Sequence, residues 1–275
     1  MRLWVFDVPR ESSLGRARGR RSAVSQIAAL DALLMSEDWR VRVKAAEDLG
    51  ALGSVAAVSS LSLAVLDDDD DRVRRAAIAA LVSIGGDEAA GALAVALREG
   101  DAWLREATVE ALAETDAPSA IGLVEQALID EDEDVREAAV NALTSIGGQE
   151  AAHALSITLE DEEAYIRELG VEALGQTGGA SVIPLLAEAL EDTDEDVREV
   201  ATEVLADIGG EEAALALVVA LDDEEAWLRA RAVRALGDIG GATATRLLEQ
   251  ALTDDEASVR AAAAKNLTRV RERND

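Results

Sequence analysis

Apolar and polar positions follow one another along this chain with a helical period. In "DEDVREAAVNALTSIGGQEAAHALSITL", Asp132 to Leu159, the residues Val135, Ala138, Ala139, Ala142, Leu143 and Ile146 fall three and four apart, one stripe of an α-helix. The pair Gly147–Gly148 can adopt left-handed geometry, so it predicts the end of that helix and a turn. A second stripe follows at Ala151, Ala154, Leu155, Thr158 and Leu159. Each predicted helix is too short to stand alone in water and must pack on its partner and on the next pair.

This pattern returns at a fixed interval. An arginine preceded by Val, Leu or Ile stands at Arg42, Arg74, Arg105, Arg136, Arg167, Arg198, Arg229 and Arg260, with a first gap of 32 residues and later gaps of 31. "SIGG" at Ser83 and Ser145, "QTGG" at Gln176 and "DIGG" at Asp207 and Asp238 keep the same register, and "ETDAP" at Glu114 takes that place in the third unit. A leucine closes each unit, from Leu66 to Leu252. Three markers in one register define a repeat protein whose stability comes mostly from neighbour interfaces. The expected fold is all-α, a right-handed αα-superhelix of 31-residue helix-turn-helix units. "SQIAALDALL", from Ser25, reads as a second helix without a first, and "SVRAAAAKNLTRVRERND", from Ser258, as a first helix without a second. The chain therefore divides into a half-unit over 22–35, seven units over 36–252 and a half-unit over 253–275. Residues 1–21 lie outside the pattern and are expected to form a mobile basic arm.

Composition changes the picture in three ways. Asp and Glu outnumber Lys and Arg by 56 to 26, a formal charge of −30. Six arginines against Asp7, Glu11 and Asp31 leave residues 1–35 at +3, so the repeats carry −33. A surface that acidic repels phosphate backbones and anionic lipid, which argues against nucleic-acid and membrane partners. Only Lys44 and Lys265 are lysines, and Ala and Val abound; this resembles the proteins of salt-loving archaea. With no Cys, disulfides and thiolate metal sites are excluded. No run of 18 apolar residues suggests a membrane span, and the start is not read as a signal peptide, so the expected location is the cytoplasm.

The consensus D-x-D-x-x-V-R-x-x-A-x-x-A-L-x-x-I-G-G-x-E-A-x-x-x-L-x-x-A-L resembles the HEAT-like repeats named after phycobilin lyase subunits. The resemblance covers about nine-tenths of the chain and implies a solenoid, without choosing a function. The group includes chromophore lyases, an iron-dependent hydroxylase, DNA-glycosylase relatives and plain scaffolds. The hydroxylases need several His-Glu pairs, whereas this chain has a single histidine, His153, followed by Ala154. The DNA-repair members need a basic, aromatic-bearing groove, which the charge opposes. No nucleophile triad or phosphate loop is present, so no catalytic residue, cofactor or metal is assigned.

Acid runs such as "DDDDD" at 67–71 and "DEDED" at 130–134 precede the first helix of each unit. They are read first as helix caps and solvated loops, then as a lure for a basic partner, and last as cation sites, since they lack the Gly turn of a Ca²⁺ loop. The arginines in register, among them Arg74, Arg105, Arg136, Arg167, Arg198 and Arg229, are read as a structural ladder pairing with loop acids. Two residues before the marker, alternate units carry Trp103, Tyr165 and Trp227, where others carry Asp134 and Asp196. These aromatics are expected to pack between units of a duplicated 62-residue pair. The second helices alternate too: Val95, Ile157 and Val219 against Gln126, Glu188 and Gln250. In solenoids of the resembled type the second helices line the concave side. There Val95, Ile157 and Val219, with Ala94, Ser156 and Val218, would form an apolar row interrupted by Gln and Glu. The expectation is a non-catalytic protein-binding scaffold using this row, with a protein partner that has apolar anchors and a basic rim, the chain itself being monomeric or weakly self-associating. A phycobilin-lyase-like enzyme subunit and a self-assembling structural element are the alternatives.

Overall fold

The computed structural model describes residues 13–115 and 120–274, with side chains from Val24 to Arg273. Residues 1–12 of the expected arm and residues 116–118 of the third-unit marker lie outside the described residues. The chain divides into two compact units, Met1–Pro118 and Ser119–Asp275.

Unit 1 consists of α1 (Ser13–Leu34), α2 (Trp39–Leu52), α3 (Val58–Asp67), α4 (Asp71–Ile84), α5 (Gly86–Glu99) and α6 (Ala102–Ala113). The first of these begins at Ser13, inside the stretch expected to be an arm; Leu14, Arg16, Ala17 and Arg18 are good helix formers and extend the half-unit backwards. Unit 2 contains α7 (Ala120–Ala127), α8 (Glu133–Ile146), α9 (Gly148–Leu155), α10 (Ala164–Gly178), α11 (Ile183–Ala189), α12 (Glu195–Ile208), α13 (Gly210–Ala216), α14 (Val218–Leu221), α15 (Ala226–Ile239), α16 (Gly241–Ala251) and α17 (Ala257–Asn274). Within each unit, first helices pack on first helices and second helices on second helices. This is the all-α repeat architecture that the period predicts.

The turns follow from the glycine pairs. Gly147 and Gly148 have φ of 69° and 83°, left-handed values that a residue with a Cβ rarely adopts. Helix starts are set by aspartates: the side chains of Asp132 and Asp194 accept hydrogen bonds from the backbone N–H of Asp134 and Asp196. The fully buried side chains are mostly leucines, such as Leu49, Leu81 and Leu112 in unit 1 and Leu143, Leu174 and Leu186 in unit 2. Each contributes about 2 kcal/mol of transfer free energy. Buried hydroxyls are satisfied locally, as where Thr202 Oγ1 donates to the Arg198 carbonyl at 2.9 Å.

First helices approach closely. A Cβ on Gly50 of α2 would lie 2.8 Å from the Ala80 Cα of α4, so only glycine fits there. Second helices are less regular. After Leu155 the chain tightens into a 3₁₀ turn over Ser156–Glu160. Ser156 and Thr158 hydroxyls donate to carbonyls three residues back, both at 2.7 Å, competing with the α-helical bonds. The sixth repeat breaks at the same register, between α13 and the β-branched Val218 and Val219.

Candidate binding surface

The arginines of unit 2 are held by a recurring clasp. Arg167 reaches Asp192 through Nε at 2.7 Å and through a terminal nitrogen at 2.8 Å, and it also donates to the Asp161 carbonyl at 2.9 Å. Arg136 with Asp161, Arg198 with Asp223 and Arg229 with Asp254 repeat this arrangement, each arginine reaching the aspartate 25 residues ahead. The same carboxylate accepts the backbone N–H two residues on, at 2.8 Å for Asp192 and Asp194. One aspartate of each acid run therefore joins consecutive repeats and fixes its own loop. The pairs are well buried; the Arg136 and Asp161 side chains are 6% and 7% exposed. Burial pushes the Asp192 carboxyl up, but the Arg167 hydrogen bond and the Asp194 N–H outweigh it and hold it below the usual carboxylate value. At Asp254 the hydrogen bond from Arg229 dominates and holds the carboxyl at about 2.

Unit 1 departs from this arrangement. Arg42 clasps Asp68 at 2.7 and 2.8 Å, but the place of the next aspartate in register is taken by Glu99. Arg74 turns instead to Asp71 and, at 3.2 Å, to Asp101, and its buried Nε has no hydrogen-bond partner. Arg105 keeps a loop-carbonyl bond like that of Arg167 to Glu162, donating to the Gly100 carbonyl at 3.1 Å, so the departure lies at Arg74. The loop "EGD" in place of "DEE" is the sequence signal for this change.

The second-helix row lies at the surface. In unit 2, Gln126, Glu188 and Gln250 are exposed, Ile157 is 42% exposed and Val219 is half-buried. Exposed apolar surface is widened by Val218 at 39% and by Leu215, which occupies the His153 register. In unit 1, Val95 is half-buried and Ala94 is buried against the core, so Ala94 is not part of the surface row as expected. Its register mates Ser156 and Val218 gain exposure where the second helices break.

The alternating aromatics also differ from expectation. Tyr165 and Trp227 do not pack away between repeats; they are 48% and 41% exposed on first helices. Trp103 is half-buried, with the guanidinium groups of Arg74 and Arg75 at 4.9 and 5.4 Å from its ring centroid. Around Tyr165 the neighbours are acidic. Partial burial, together with Glu137, Glu168 and Glu133, raises its phenol above the usual range. Glu168 is likewise raised, by partial burial and by Asp196, Glu172, Asp194 and Glu199. The sequence showed the aromatics in register but not their exposure, which depends on how far each neighbouring helix covers them.

Stacked helix pairs with clasped loops and open outer faces define a helical-repeat solenoid of the kind that presents a surface. The sequence matches the model of HEAT repeats over 12–82, 27–113, 89–175, 151–223 and 183–268, and the chain belongs to this family. No curated protein sequence matches it. Among solved structures, the karyopherin Kap121p bound to the extreme C-terminus of the protein phosphatase Cdc14p is similar at a TM-score of 0.58, with 18% identity over 91% of this chain and 34% of Kap121p. Cex1p is similar at 0.54, with 15% identity over 87% of this chain and 55% of its own. The CpcE–CpcF complex of phycocyanin lyase from Nostoc sp. PCC7120 overlaps at 0.42, with 21% identity over 98% of this chain and 99% of that one. This chain spans about a third of Kap121p and about half of Cex1p, and at these identities the likeness is one of fold. No described helix is long and apolar enough to cross a membrane.

Proposed function

We propose that this protein is a non-catalytic scaffold that binds a protein partner on its second helices. The observation that carries the reading is the apolar surface of unit 2, where Ile157 and Val218 stand 42% and 39% exposed in corresponding repeats, between the polar Gln126, Glu188 and Gln250. Apolar side chains kept at the surface at adjoining positions of alternate repeats, Ile157 in one and Val218 beside the half-buried Val219 in the other, are a mark of an interaction site. Around them unit 2 carries a net charge of −24, against −6 for unit 1, which suits a partner whose contact rim is basic. The structural neighbour Kap121p is a karyopherin whose crystal structure contains the bound C-terminus of a protein phosphatase, in keeping with this use of the fold. We assign the repeats to the phycobilin-lyase subtype and the composition to a salt-loving, cytoplasmic setting.

The test replaces Ile157 and Val219 with Glu and repeats affinity capture from the native host. Loss of the partner, with the circular dichroism spectrum intact, is the expected result. Unchanged recovery would sink the assignment of this face. A chromophore-modifying subunit would instead reveal itself by bilin uptake in absorbance.

A further inference from the structure

The second helices of unit 1 end in opposite charges. α5 closes on Arg98, a cation at the negative end of the helix. α3 carries Asp67 at the same register, and α1 carries Asp31 in its last turn. Neither of these two helices has a basic residue in its last turn. An acid there opposes the helix dipole, so both ends lack the cation that α5 supplies for itself.

The two ends meet at one groove. α1 and α3 are in contact, and an opening of about 720 Å³ beside them is lined by Leu34, Met35, Leu63 and Ala64 together with Asp31 and Asp67. Met35 and Leu63 are 85% and 61% exposed. The Oδ1 atom of Asp31 is buried and has no hydrogen-bond partner. Arg42 also lines the groove, but its guanidinium is engaged by Asp68, Asp69 and the carbonyls of Ser36 and Glu37. Among the described residues, no arginine or lysine pairs with Asp31 or Asp67. A small cation alone would leave Met35 and Leu63 in water. An apolar side chain alone would bury the Asp31 carboxylate further without a partner. The groove is complementary to a group that is apolar and cationic together.

We propose that this groove binds a segment of a partner protein in which an aliphatic residue stands beside an arginine. The aliphatic side chain rests on Met35 and Leu63, and the guanidinium meets Asp31 and Asp67. Arginine suits the site because its apolar stem can lie on Leu63 while its weakly hydrated head forks onto a carboxylate. The site lies in unit 1, on residues other than the Ile157 and Val218 surface, and does not depend on that surface.

Met1 and Met35 are the only methionines, so methyl-¹³C labelling of the full chain places a reporter in the groove, assigned by Met35→Leu. The probe is the blocked peptide acetyl-Gly-Leu-Arg-Leu-Gly-amide, titrated at about 150 mM salt, where charges beyond roughly 8 Å are screened. A saturable shift of the Met35 methyl resonance is expected. Asp67→Asn and Leu63→Ser, both at exposed positions, should each weaken binding at least threefold, and Asp31→Asn with Asp67→Asn at least tenfold. Citrulline in place of the peptide's arginine should weaken it at least fivefold. Glu150→Gln with Glu212→Gln removes as much charge from exposed sites in unit 2 and should change it less than twofold. Thermal melts check the fold of each variant. No saturable shift, equal binding of the citrulline peptide, or equal losses from the two double variants would overturn the proposal. So would binding seen only after deletion of residues 1–12, which would give the groove to the chain's own N-terminal segment. A Met35 shift that follows protein concentration without peptide would give it to a second copy and overturn the proposal as well.

Discussion

Unit 1 and unit 2 are written in the same 31-residue repeat, but their arginines have different neighbours. In unit 2, four successive arginines from Arg136 to Arg229 each clasp an aspartate 25 residues ahead, and the outer faces of α8 and α12 are acidic. In unit 1 the clasp fails at Glu99, and the α4 arginines Arg72, Arg74 and Arg75 lie on tryptophans. A repeat thus fixes the backbone while single loop positions decide whether a cation joins repeats or covers a ring. One consequence is that unit 2 has its loop arginines internally engaged while it carries −24 against −6 in unit 1, the ground on which a basic partner is proposed for it.

Removing one clasp is the strongest way to break this contrast. Arg198→Ala leaves Asp223 buried without its cation and should cost about 3 kcal/mol in urea unfolding. Arg74→Ala removes looser contacts to more exposed acids and should cost about 1 kcal/mol. Equal costs would remove the distinction between the two arginine environments. A second pair separates first from second helices inside unit 1. Gly50→Ala drives a methyl into Ala80 and should destabilise by about 2 kcal/mol, whereas Gly91→Ala in α5 meets open space and should stabilise by roughly 0.5–1 kcal/mol.

Acid should weaken the clasps next. The Asp254 carboxyl is held at about 2, below its unfolded value of 3.8, so its contribution is complete above about pH 4 and lost as pH falls toward 2. Asp192 is shifted the same way. Asp254→Asn should flatten the stability of unit 2 across that window, read by denaturant melts at stepped pH. Salt is the smallest lever. With −24 against −6, self-repulsion should make unit 2 gain more than unit 1 between low and molar ionic strength, seen as protection from limited proteolysis. Equal gains in both units would contradict the charge asymmetry as a source of strain.

Much of this was legible in the sequence because period and punctuation carry the fold. Val135, Ala139 and Leu143 announce a buried stripe, and Gly147–Gly148 announce a turn with positive φ. The acid runs were legible as caps at Asp132 and Asp194. The sequence led to the expectation that the arginines in register pair with loop acids; which acid each takes, the aspartate 25 residues ahead for Arg136, Arg167, Arg198 and Arg229, required three dimensions, since these partners meet only when repeats stack. Exposure was the least legible property. Tyr165 and Trp227 share a register with the half-buried Trp103, and Ala94 shares one with the exposed Val218. What separates them is local coverage by the neighbouring helix and, for Val218, a break in the second helix.

The scaffold reading meets its most direct test in hydrogen exchange of the protein with its captured partner bound. Slowed exchange in the second helices of unit 2, over α9 with its 3₁₀ turn and over α13 and α14, is the predicted result. A stoichiometric complex that leaves those segments unprotected would contradict it.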